Sequence, residues 1–269
     1  MSEASELREA CAEAARRGGA VLRERFGASR TIEYKGGIDL VTDADRASEG
    51  VLLDFIHERF PGAAVLAEES GISGGAHVPA ALRFIVDPLD GTTNYAHGLP
   101  HFAVNVAVER AGRLLAAATL DPLRDELFLA AAGEGATLNG ERITVSRAHE
   151  LMRSLLCTGF PYDIHEEHDL PLRFFGAFLS QARAIRRLGS AAIDLAYLAC
   201  GRFDGFWEMK LKPWDLAAGM LLVREAGGVA TDLDGGDRIF ETGGIVAANP
   251  GLHGLMLDVL RASRTSAPA

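Results

Sequence analysis

Two aspartates three residues apart, Asp87 and Asp90, lie inside the segment IVDPLDGTTN, which runs from Ile85 to Asn94. The apolar run Phe84 to Val86 predicts a strand that delivers Asp87, and Pro88 fixes the backbone after it and bars helix at Asp87. Gly91, Thr92 and Thr93 then open a turn or a short helix. Hard cations such as Mg2+ take carboxylate and carbonyl oxygens and keep the rest of their shell for water and phosphate oxygens. Asp87, Asp90 and the Leu89 carbonyl between them therefore form a candidate cation site. Amides at a helix start bind phosphate without a basic side chain, which suits Gly91 and Thr92. The same residue types also build ordinary turns, and the segment taken alone is compatible with either reading.

Carboxylates and small polar residues also stand at the ends of other predicted elements. The short strand predicted over Val65 to Ala67 ends at Glu68-Glu69. In KPWDLAAGMLLVREAGG, from Lys212 to Gly228, Trp214 would anchor a helix start in the core while Asp215 points a carboxylate outward at a cation, or serves only to cap the helix. Glu208 follows a strand through Phe206-Trp207. Gly189-Ser190 reads as another helix start.

The elements that must hold these groups follow from hydrophobic spacing. A helix is predicted from Glu6 to Phe26, weakened in its middle by Gly18-Gly19. A second, with Asp43 placed to cap it, carries Val51, Leu52, Phe55 and Ile56 on one face and stops at Pro61-Gly62. From Phe102 to Val145, alternating runs broken at Ala111-Gly112, Asp121-Pro122 and Asn139-Gly140 predict an antiparallel meander. Beyond Ser154 helices and strands alternate to the end, giving α+β, layered helix and sheet. The stretch GFPYD, Gly159 to Asp163, marks the best junction between an N-terminal half, 1–153, and a C-terminal half, 154–269, of one compact unit. The final RTSAPA reads as a loose tail.

Bulk properties limit the partners. The chain has 269 residues, 48% of them hydrophobic, which is enough for a substantial core. A formal net charge of -10 argues against nucleic acid as a substrate, because no basic surface is available for counterion release. It also means that a phosphate ligand needs local positive charge, which bound cations would provide. Cys11, Cys157 and Cys200 fit no metal or disulfide spacing and read as buried thiols. A polar, acidic N-terminus and the lack of any apolar run near ~18 residues predict a cytoplasmic protein without a membrane segment.

The two main segments, with YKGGIDLVTDAD at Tyr34 to Asp45, LAEES at Leu66 to Ser70, LGSAA at Leu188 to Ala192 and FWEM at Phe206 to Met209, resemble the inositol monophosphatase family, in its bacterial form, over most of the chain. The resemblance implies an αβαβα sugar-phosphatase fold and two to three Mg2+ ions held by Glu68, Asp87, the Leu89 carbonyl, Asp90 and Asp215. It implies a water oriented by Thr92, which passes its proton to Asp45, with Glu68 nearby. It places substrate contacts at Gly91, Thr92, Gly189, Ser190, Ala191, Glu208 and Asp215; Ser190 stands where the pattern often has Thr, and keeps the hydroxyl. The implied activity is that of a phosphoric monoester hydrolase releasing a small polyol, with myo-inositol 1-phosphate first. Histidinol phosphate, fructose 1,6-bisphosphate and a nucleotide 3'-phosphate are substrates of relatives with similar motifs. Other bacterial relatives act by binding a partner protein or RNA machinery. Lithium sensitivity and a homodimer are further expectations, while Glu69, Asp43 and Lys35 read as supporting or solvated charges.

Overall fold

Leu7, Cys11, Ala14, Ala15 and Leu22 share one buried face, and they close the first segment into an unbroken helix, α1 (Glu3–Arg25), capped by the Ser2 hydroxyl. Gly18 and Gly19 do not interrupt it. They let α1 approach its neighbours, since a Cβ on Gly18 would lie 2.8 Å from Ser48 Oγ and one on Gly19 2.5 Å from Leu120 Cδ2. The computed structural model describes residues 2–27, 32–34, 40–75 and 81–265; Lys35, the motif residues 36–39 and the last four residues of the tail lie outside them.

A short ribbon, β1 (Ile32–Tyr34) with β2 (Leu40–Thr42), leads into α2 (Asp43–Arg59). Thr42, not Asp43, is the cap. Its hydroxyl accepts from the Ala44 amide at 3.2 Å, and Asp45 reaches back to the Thr42 amide at 2.8 Å, a reciprocal capping box. Asp43 instead sits exposed in the first turn and pairs with Arg25 at 3.0 Å.

The first sheet is built from β3 (Ala64–Ala67), β4 (Gly71–Gly74), β5 (Leu82–Asp90) and, after the short helix α3 (Thr92–Ala96), β6 (Ala103–Arg110), β7 (Arg113–Asp121), β8 (Glu126–Ala131), β9 (Gly135–Leu138) and β10 (Glu141–Ile143). Its order is β10-β9-β8-β7-β6-β5-β3-β4, with β3 and β5 parallel and every other pair antiparallel. The meander is therefore β6 to β10. The second sheet, ordered β12-β11-β13-β15-β14, arises from β11 (Leu155–Thr158), α4 (Asp169–Leu179), β12 (Ala184–Arg186), α5 (Ala191–Ala199), β13 (Gly205–Glu208), α6 (Pro213–Glu225), β14 (Val229–Thr231), α7 (Ile239–Thr242), β15 (Ile245–Ala248) and α8 (Pro250–Thr265).

Helices α1 and α2 pack on the first sheet through a core that includes Leu52, Ile56, Phe84 and Val106. The pair α5 and α6 lies between the two sheets, where Leu195, Leu216 and Leu222 join a core with Phe128 and Phe206. Helices α4 and α8 cover the second sheet through Phe174, Phe178 and Leu260. The result is the αβαβα layering that the resemblance implies, with α6 buried nearly all round because both of its faces meet a sheet. Among the described residues no helix is long and apolar enough to cross a membrane.

Candidate metal and phosphate site

The strand carrying Asp87 does not stop there; β5 continues to Asp90, and its register on β6 shifts between Asp87 and Asp90. Pro88 has no amide to donate to a ladder, and its carbonyl leaves the strand to accept from Ser48 Oγ on α2 at 2.9 Å. This irregularity and the start of α6 bring Asp87, Asp90 and Asp215 together, with one carboxylate oxygen from each lying within 4.8 Å of the others.

Each carboxylate is held by its own partners. Asp87 Oδ1 accepts from the Leu89 amide at 2.9 Å. Asp90 Oδ2 accepts from Ser190 Oγ and from the Ala192 amide, the latter at 2.8 Å. Asp215 is the third residue of α6, not its cap, and its Oδ2 accepts from the Lys212 amide at 2.6 Å. Asn105 links the two parts of the cluster: it stands opposite Asp87 on β6 and donates through Nδ2 to the Trp214 carbonyl at 3.2 Å.

Crowding of buried acids raises their pKa values. Burial is the first cause for Asp87, followed by the charges of Glu68, Asp90 and Asp215 and a hydrogen bond with Glu68, and its carboxyl titrates well above the usual range. Asp215 is shifted the same way, by burial and then by Asp90. Asp90 is pushed up to about 6 by burial, although Ser190 and the α5 amides oppose the shift. A set of mutually repelling carboxylates beside a backbone carbonyl suits a hard divalent cation, which would remove the repulsion and satisfy the donors together.

Next to the aspartates, Gly91 takes a left-handed backbone, φ 95°, at the start of α3. A Cβ there would press on the His101 carbonyl at 3.1 Å and the Gly189 carbonyl at 3.2 Å. The Thr92 hydroxyl lies 3.0 Å from Asp45 Oδ1 and 3.0 Å from the Leu89 carbonyl, so its one proton chooses between two acceptors. Asp45 is fully buried and its other oxygen serves the Thr42 cap.

These groups border a cavity of about 410 Å³. Glu68, Asp87, Leu89, Asp90, Gly91, Thr92, Glu208 and Asp215 all line it, and Phe160 to Asp163, Lys210 and Lys212 are also part of the wall. Asp45 and Gly189 to Ala191 do not line it. They stand behind Thr92 and Asp90, the latter through the Ser190 hydroxyl on Asp90. Glu208 ends β13 almost completely buried, and burial first, then Asp194, Asp215 and Asp90, hold its carboxyl well above the usual range.

Several supporting residues escape a reading of motifs. Ser48, Asn105 and Thr119 carry no signature, yet Thr119 Oγ1 donates to Asn105 Oδ1 at 2.6 Å and fixes the amide that reaches α6. Asn94, within the DGTTN run, donates to the Leu188 and His101 carbonyls, each at 2.8 Å, and ties the Gly189 loop to α3. A polar residue inside an apolar strand, as in AVNVAVER, or one acid in an apolar helix, as Asp194 in AAIDLAYLA, is the available signal.

The sequence model of the inositol monophosphatase family matches residues 3–265. Nus factor SuhB of Escherichia coli is 44% identical over 250 residues, covering 92% of this chain and 93% of that protein. Among solved structures, the extragenic suppressor protein suhB of Bartonella henselae superposes with a TM-score of 0.91 at 39% identity, over 95% of this chain and 98% of that one. The inositol monophosphatase of Anabaena gives a TM-score of 0.88 at 40% identity, covering 97% of each chain.

Proposed function

The chain belongs to the inositol monophosphatase family, and from that premise we propose that it hydrolyses a phosphate monoester of a small polyol, myo-inositol 1-phosphate first, with Mg2+ as cofactor. The observation that carries this reading is the convergence of Asp87, Asp90 and Asp215 from two distant segments beside the Thr92-Asp45 pair. Glu68, Asp87, the Leu89 carbonyl, Asp90 and Asp215 would hold two to three ions. Bound there, Mg2+ would make a ligated water acidic enough to attack near neutral pH and would offset charge on the phosphate and the leaving oxygen.

The chain's own residues do the rest. Thr92, donating to Asp45, keeps an oxygen lone pair for the attacking water and passes its proton to Asp45, whose second oxygen is pinned by the Thr42 cap. Glu68 borders the same space. The amides of Gly91 and Thr92 receive phosphate oxygens. Glu208 accepts hydroxyls of the leaving alcohol, and Gly189, Ser190 and Ala191 shape that side from behind Asp90. No side-chain nucleophile is required.

Turnover of myo-inositol 1-phosphate, histidinol phosphate, fructose 1,6-bisphosphate and a nucleotide 3'-phosphate under one Mg2+ condition tests the reading. Inositol phosphate is expected to lead. Faster histidinol phosphate hydrolysis would replace the substrate, and no Mg2+-dependent turnover of any of them would remove the phosphatase assignment. A cytoplasmic homodimer inhibited by lithium completes the proposal, to be checked by light scattering and a LiCl titration.

The relatives called Nus factor SuhB favour a second role, in which this chain also binds a partner protein or RNA machinery. Retention of such a partner by an inactive Asp90→Asn protein would separate that role from catalysis.

A further inference from the structure

Part of the cavity wall is a turn that follows β11, contributed by Phe160, Pro161, Tyr162 and Asp163. Its backbone bonds close on themselves: the Ile164 amide donates to the Pro161 carbonyl at 3.0 Å, and the Glu166 and Glu167 amides to the Asp163 carbonyl at 2.9 and 3.0 Å. On its far side, Glu166 and Glu167 border a second cavity of about 520 Å³. The turn is thus a thin partition with open space on both sides, the kind of segment that opens before the core does.

Lys210 spans both cavities. It lies two residues beyond the end of β13, and the next residue is fixed by the Leu211 amide donating to the Gly243 carbonyl at 2.9 Å, so its base belongs to the second sheet and the corner before β15. Its Nζ donates to Asp163 Oδ2 and, at 2.6 Å, to Glu167 Oε2. Its backbone is left-handed, φ 61°, a conformation uncommon for a residue with a side chain and kept only where the surroundings impose it. The other oxygen of Asp163, Oδ1, is buried and has no hydrogen-bond partner. Without the ammonium, that carboxylate would have to move toward water and take the turn with it.

We infer that Lys210 is a positioning residue that latches the turn at residues 160–167 against β13 and so closes the wall on which the leaving alcohol packs. The latch stands on contacts alone; its effect on substrate rests on the phosphatase reading. Exposed ion pairs are weak one at a time. Two carboxylates on one ammonium make a tie firm enough to shape the cavity and weak enough to release when ligand enters or product leaves.

Hydrogen exchange of the 160–168 amides, together with KM and kcat for myo-inositol 1-phosphate at saturating Mg2+, tests the inference on the full chain. Lys210→Met removes the ammonium and keeps the stem. Lys210→Gly removes it and suits the backbone, and the Asp163→Asn/Glu167→Gln double variant removes the tie from the other side. All three are expected to speed exchange in this segment by about tenfold and to raise KM more than they lower kcat. Lys210→Arg should restore both. Unchanged exchange in the Met and Gly variants would overturn the latch, and faster exchange with wild-type KM would overturn its role at the site. The exchange measurement decides the latch even if the wild type hydrolyses none of the phosphates, which keeps that failure separate from failure of the phosphatase reading.

Discussion

Asn105 lies opposite Asp87 in the β5–β6 ladder and places its amide 3.2 Å from the Trp214 carbonyl, so the strand that carries one aspartate also holds the helix start that carries Asp215. This contact ties the two segments that carry the acids. Asn105→Ala should lower stability by about 1–3 kcal/mol, because it strips partners from Trp214 and Thr119 in a buried place. It should also weaken Mg2+ binding by about 10- to 100-fold, as loss of outer-shell support does. Thermal unfolding measured across a Mg2+ titration reads both. Lost stability with an unchanged Mg2+ midpoint would reduce Asn105 to a structural role.

Asp45 carries two tasks on two oxygens, one for Thr92 and one for the α2 cap. Asp45→Asn can still accept from the Thr42 amide but cannot take up a proton, so kcat should fall by about 10²- to 10⁴-fold with little change in Tm. Asp45→Ala should add a capping loss of about 1 kcal/mol. Equal kcat in the Asp45→Asn variant and wild type would rule out the relay.

How much of this can be read from the sequence depends on distance along the chain. The DPLDGTT run, the strands before it and the start of α6 follow local rules of period and turn chemistry, and the layered alternation of helix and strand after residue 154 follows the same rules. Local reading fails where a neighbour in space decides. Gly18-Gly19 reads as a weak point in α1 because propensity ignores Ser48 and Leu120, against which those glycines close. Asp43 reads as a cap because the competing capping box depends on how Thr42 and Asp45 face each other. Asn105 and Ser48 have no motif at all, since their function is defined by carbonyls on other elements.

Gly18→Ala sets propensity against such a neighbour directly. Alanine favours helix by about 1 kcal/mol over glycine, yet its Cβ would lie 2.8 Å from Ser48 Oγ, the hydroxyl that holds the Pro88 carbonyl at 2.9 Å. The expected net effect is a loss of about 1–3 kcal/mol from overpacking together with weaker Mg2+ stabilisation. A more stable protein in thermal unfolding would show that propensity outweighs the contact.

The raised carboxyls make a pH prediction for the metal-free protein. Asp90 titrates at about 6 in the fold against an ordinary value of 3.8, so between these values the folded chain binds more protons than the unfolded one. Stability contributed by this group is therefore present below about 4 and is lost as pH rises through about 6. The lift caps the effect at about 3 kcal/mol. Buried His101, lowered to about 4 by burial and Arg124, works in the opposite direction, so the comparison needed is with Asp90→Asn. In EDTA, wild type should lose more stability than Asp90→Asn between pH 5 and 7.5, and saturating Mg2+ should rescue only wild type. Parallel pH profiles in EDTA would contradict the assigned cost of burying the Asp90 charge.

The Glu208 side of the cavity gives the last prediction. A Cβ on Gly159 would collide with Glu208 Oε1, and Glu208 is 8% exposed at the end of β13, so the carboxylate has no room to yield without leaving its place. Gly159→Ala should therefore act as a displacement of Glu208 and mimic Glu208→Gln. Both should raise KM for a polyol phosphate: cations held by Asp90 and Asp215 would offset the charges that raise Glu208, and its carboxylate then accepts two hydroxyl hydrogen bonds where the amide accepts on one atom only. Loss of a hydrogen bond to a charged group is worth about 1.5–3 kcal/mol, which corresponds to roughly 10- to 100-fold in KM. A simple aryl phosphate without those hydroxyls should be much less affected by either change. Equal losses on polyol and aryl phosphates would place Glu208 with the phosphate chemistry and not with the leaving group.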